Sequence, residues 1–108
     1  MIDCKLLLDA RKSALLIGFR LSGHAGCGEA GEDIVCAAVS SAAYLTANTL
    51  TDVVHANVSA TVDEGFLRVQ VASRDAELCR VPLEGFKLHL LNLEEQYPQA
   101  IHVSYEEV

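Results

Sequence analysis

The chain reads as a small α+β domain spanning residues 1–108, a mostly antiparallel sheet in the order β-β-α-β-β-α-β with two helices packed on one face. Three observations point there. A length of 108 residues suits one hydrophobic core. Five segments are apolar or alternate with the period of two expected of strands, and two longer segments repeat their apolar residues every three or four positions, as helices do.

The first strand is Ile2 to Leu8, leucine-rich and followed by a polar break from Asp9 to Ser13. Leu15, Ile17, Phe19 and Leu21 then alternate with Leu16, Gly18 and Arg20, which predicts a second strand antiparallel to the first. Ser22 to Glu32 carries Gly23, Gly26, Gly28 and Gly31 and is expected to be a mobile loop, since that glycine density disfavours a regular element. A long helix is expected from Asp33, with Asp33 as its cap and Ala and Ser through its middle, small enough to let it approach a sheet closely. Asn57 to Val62 and Phe66 to Ala72 alternate again around Asp63, Glu64 and Gly65, a hairpin signature. Leu83, Phe86, Leu90 and Leu93 mark a second helix, expected to begin near Leu83 because of Pro82 and Gly85 and to end before Pro98. Ile101, Val103 and Tyr105 form a last strand that covers or extends the sheet, and Glu106 and Glu107 read as a solvated tail.

Composition narrows the function. Hydrophobic residues make up 51% of the chain, which excludes intrinsic disorder. Fifteen acidic against eight basic residues leave a net charge of −7, which repels nucleic-acid phosphates and anionic lipid heads and favours a basic partner. Charged and polar residues break every apolar run short of a membrane span, so no membrane partner is expected. No signal-peptide pattern opens the chain, and Cys4, Cys27, Cys36 and Cys79 include no C-x-x-C pair; a cytoplasmic protein with reduced thiols is expected. The four histidines lack ligand spacing, so neither a metal nor a cofactor is called for. Five strands under two helices leave apolar surface uncovered, which makes a homodimer the default expectation.

The chemistry-bearing stretch is Ser22-Gly23-His24-Ala25, the glycine loop, and Gly31-Glu32-Asp33-Ile34-Val35-Cys36-Ala37-Ala38-Val39-Ser40. Cys36 is expected in the first turn of the helix, where unpaired amides favour the nucleophilic thiolate and are candidate oxyanion donors, and His24 at the preceding strand end is a candidate base. Ser40 lies one turn beyond Cys36 on the same helical face. Asp33 either caps the helix or orients His24, and the glycines offer a loop that gates a bound peptide. Each feature also has a plain structural explanation. A cysteine between Val35 and Ala37 is commonly a core residue, and a strand-end histidine commonly bonds to backbone. Cys4 and Cys79 are expected to be packing residues, His55 a helix-end residue, and His89 and His102 solvent-facing.

These two stretches resemble the bacterial ribosomal-processing cysteine protease family, Prp. The likeness also takes in the leading strand pair, the small-residue helix and the late helix closing on Glu95-Gln96-Tyr97-Pro98, so it covers nearly the whole chain. The resemblance implies that Cys36 is the nucleophile and His24 the catalytic histidine, with Asp33 and Ser40 supporting them. It further implies an endopeptidase that removes a short N-terminal extension from a large-subunit ribosomal protein precursor, cutting after an aromatic, hydrophobic segment. Two other readings remain: a non-enzymatic ribosome-assembly module that captures a basic, aromatic tail, and a thiol redox sensor built on Cys27 and Cys36.

Overall fold

The computed structural model describes residues 1–12, 15–23 and 30–108, with side chains in the first helix described from residue 34 onward. Five strands and two helices appear in the expected order: β1 (Ile2–Leu8), β2 (Leu16–Ser22), α1 (Ala30–Asn48), β3 (Val58–Asp63), β4 (Phe66–Val71), α2 (Arg80–Gln96) and β5 (Ile101–Glu107). The α+β class is as the sequence predicts.

The sheet order is β3-β4-β2-β1-β5. Three of its four pairings are antiparallel, and β5 joins β1 in parallel, so the last strand extends the sheet. Register follows from the period of two: Leu6 faces Phe19 and Tyr105, Cys4 faces Leu21 and Val103, and Phe19 faces Val69. This apolar face lies under the helices. Lys5, Arg20 and Arg68 fall in line on the other face, where Arg20 meets Glu106 at 3.7 Å. Gly18 allows the closest approach between central strands, because a Cβ there would stand 2.0 Å from the Val69 carbonyl oxygen. From α1, Val35, Val39 and Ala43 enter the core, joined by Leu50 in the turn that follows; from α2, Leu83, Phe86, Leu90 and Leu93 do so, with the Phe86 ring 4.2 Å from that of Phe19.

Four expectations are corrected. The first helix starts at Ala30, three residues before Asp33, so Gly31 belongs to its first turn and Asp33 is not its cap. Ala30 is a strong helix former, and Glu32 and Asp33 suit the positive end of the helix dipole, which outweighs one glycine. The second helix starts at Arg80, because Pro82 sits in a first turn whose amides have no intrahelical partner to lose. Glu106 and Glu107 belong to β5. Finally, Ile34–Val53 is long and apolar enough by length and composition to cross a membrane; Val35, Val39, Ala43 and Leu50 within it are seated in the core. The first helix ends through a π turn, Thr49–Val53, and His55 follows it at φ 61°, a left-handed terminus.

Candidate active site

Only one of the described cysteines is reachable. Cys4 in β1 and Cys79 ahead of α2 are fully buried, whereas Cys36 is half-buried beside the core stripe of α1. Burial decides the chemistry of the first two. Desolvation, with Asp3 and Glu94 adding negative charge, pushes the Cys4 thiol up to about 12. Burial and then the Asp75 charge push the Cys79 thiol up as well. Neither is a thiolate near neutral pH, which agrees with a packing role for both.

Cys36 opens onto a cavity of about 270 Å³ between α1 and the sheet. Ser40 and Tyr44 follow it at one-turn intervals along α1, so the three form a stripe on one face, with Val39 and Ala43 behind it. The opposite wall comes from the β3–β4 hairpin through Val62, Asp63, Gly65, Phe66 and Leu67, and the remainder from Ile2, Leu21 and Gly23. Ser40 therefore shares a pocket with Cys36, as its spacing predicts. Tyr44, Val62 and Leu67 were not expected there. Tyr44 has a sequence signal, two turns from Cys36 on the same face, whereas the hairpin residues reach the pocket only through tertiary pairing.

Gly23 closes one end of this wall. It adopts φ +86°, and a Cβ on it would stand 2.5 Å from the Met1 carbonyl oxygen, so both backbone and space demand glycine. Its amide donates to the Gly65 carbonyl at 3.0 Å, tying the end of β2 to the hairpin turn. His24, the next residue, lies outside the described residues, as do Cys27, Gly26 and Gly28. The side chain of Asp33 is likewise outside the description, so of the expected residues the structure brings together Cys36, Ser40 and Gly23.

The earlier helix start changes one element of the expected chemistry. Cys36 is the seventh residue of α1, in its second turn, where a helical amide is paired with the carbonyl four residues back. Its N–H is not a free oxyanion donor, and the dipole acts on its thiol more weakly than it would in the first turn. Among the described residues no group of three His, Cys, Asp or Glu side chains could hold a metal ion.

Comparison with known proteins adds to this geometry. The family model for cysteine protease Prp matches residues 1–102. The crystal structure of SMU.848 from Streptococcus mutans is similar over 100% of this chain and 96% of its own, with 30% identity and a TM-score of 0.86. Two structures of an essential ribosomal processing protease Prp from S. aureus share the fold over 98% of this chain and 100% of theirs. One holds a covalently linked product peptide (22% identity, TM-score 0.84), the other a substrate peptide (21%, 0.85). Among curated proteins none matches.

Proposed function

The chain belongs to the cysteine protease Prp family, and from that premise we propose that it is the endopeptidase that trims the N-terminal extension of a large-subunit ribosomal protein precursor in the cytoplasm. The observation that carries the reading is Cys36, the one described thiol that opens onto a pocket, with Ser40 on the same wall.

In this reading His24 takes the proton from the Cys36 Sγ, and the thiolate attacks the scissile carbonyl carbon. As the C–N bond breaks, the imidazolium returns its proton to the leaving amine, leaving a thioester that water hydrolyses. Ser40, one turn from Cys36, donates a hydrogen bond into the pocket, and Asp33 orients His24. The segment with Gly26 and Gly28 gates entry. The pocket wall of Val62, Phe66 and Leu67 suits a hydrophobic, aromatic residue ahead of the cut. A net charge of −7 favours a basic ribosomal substrate and disfavours direct nucleic-acid binding.

The test is cleavage of the extended precursor by wild type and by Cys36→Ala. The variant is expected to lose activity by about 10⁴-fold or more; unimpaired cleavage would end the proposal and leave the binding-module reading. The proposal includes a homodimer. Leu45, Val81 and Leu88 stand exposed on α1 and α2, and Ala42, Leu45, Pro82 and Gly85 line a groove between these helices. Sedimentation at micromolar concentration is expected to give twice the chain mass, and a monomer under those conditions contradicts it.

A further inference from the structure

Along the free edge of β3 no outward backbone group has a cover among the described residues. Its backbone phase follows from two bonds: the Ala72 amide donates to the Asn57 carbonyl at 2.9 Å, and the Gly23 amide donates to the Gly65 carbonyl at 3.0 Å. Given the register Val58↔Val71 and Asp63↔Phe66, the residues bonded to β4 are Ser59, Thr61 and Asp63. The N–H and C=O groups of Val58, Ala60 and Val62 therefore point away from the sheet. Among the described residues none of the backbone bonds outside the ladders reaches them. The strand, Val-Ser-Ala-Thr-Val-Asp, carries no Lys, Pro or bulge, the features that usually blunt an edge against pairing. The side chains of Val58, Ala60 and Val62 share the helix-facing side of the sheet with Leu67, Val69 and Val71, and Val62 is 67% exposed.

We propose that this edge is where an extended peptide substrate pairs, as a sixth strand whose end beside Val62 runs into the Cys36 pocket. The occupant is a peptide because the edge is continuous with that pocket: Val62 and Asp63 belong to both. Backbone pairing supplies affinity with little dependence on sequence, while alternate peptide side chains fall on the helix-facing side and meet the pocket wall. This inference rests on the protease reading and assigns how its substrate is held.

Two perturbations test it, one on each partner. Ala60→Pro deletes the central outward N–H, and proline is tolerated where a strand's N–H faces solvent. For a synthetic peptide spanning the ribosomal-protein extension, KM is expected to rise about tenfold with kcat little changed, and the thermal midpoint monitors folding. Independently, N-methylation of that peptide one amide at a time is expected to give losses at every second residue, the signature of strand pairing. Wild-type cleavage that neither Ala60→Pro nor any methylated position alters overturns the edge proposal and leaves the protease reading intact. A wild-type protein that does not cleave the peptide overturns both. Ala60→Pro that converts a dimer to monomers without affecting KM shows the edge pairing two copies, and also overturns the proposal.

Discussion

The two edges of the sheet are treated in opposite ways. At the β5 edge, α2 and the segment after it cover the first two outward amides: Ile101 donates to the Tyr97 carbonyl at 3.3 Å and Val103 to the Glu94 carboxylate at 2.7 Å. Glu94 also faces His102 at 3.6 Å, so one side chain finishes the edge twice. At the β3 edge, Val58, Ala60 and Val62 have no such cover among the described residues. An edge strand is a template for any extended chain, and in this fold the start of one edge is capped while the edge beside the Cys36 pocket is open among the described residues.

The contrast can be broken from the middle outward. The largest effect is expected at Gly18, on β2 between the edges. Gly18→Ala places a Cβ 2.0 Å from the Val69 carbonyl oxygen, and β2 and β4 must part to admit it. A loss of about 3 kcal/mol or more is expected in urea unfolding, with loss of cleavage as the hairpin wall moves. A wild-type midpoint would show that the central strands yield easily.

Next is the capped edge. Glu94→Ala strips the charged acceptor from the Val103 amide and is expected to cost about 1–3 kcal/mol, without raising KM for the peptide. If KM rises as much as in Ala60→Pro, the two edges do not differ in function.

The buried thiol under this edge gives a pH test. Cys4 is raised to about 12 in the folded chain, so the native state keeps its proton where the unfolded chain, with an ordinary thiol near 9, releases it. Its stabilisation is therefore full below about pH 9 and falls by about 1.4 kcal/mol per pH unit between 9 and 12. Cys4→Ala is expected to flatten that decline in urea unfolding, and an unchanged slope would assign it to other groups. The smallest effect is expected where the open edge begins. Asp75 accepts the Asn57 amide at 2.8 Å on the surface, and Asp75→Ala is expected to cost about 0.5–1 kcal/mol, read as a small fall in thermal midpoint.

How much of this the sequence reveals depends on the range of the interaction. The strands are legible because Leu15 to Leu21 and Phe66 to Ala72 alternate, and alternation is a local consequence of one buried face. The start of α1 is not, because glycine spacing argues for a loop through Glu32 while Ala30, Glu32 and Asp33 sustain a helix across Gly31. Sequence neighbours do not sort the three described thiols: Cys4 lies between Asp3 and Lys5, Cys79 between Leu78 and Arg80 and Cys36 between Val35 and Ala37, and it is packing that buries the first two and opens Cys36. The Glu94 cap and the bare edge are invisible in sequence for the same reason, since each depends on which strand ends up outermost. A pairing of His24 with Cys36 is an expectation drawn from the motif and the family resemblance, and His24 falls outside the described residues.

That pairing is best tested by labelling the folded, full-length chain with iodoacetamide near neutral pH and mapping each cysteine by mass spectrometry over time. The account predicts that Cys36 is alkylated at least tenfold faster than Cys27, Cys4 or Cys79, and that His24→Ala removes the advantage. Slow labelling of Cys36 at the rate of Cys27, unaffected by His24→Ala, would contradict it.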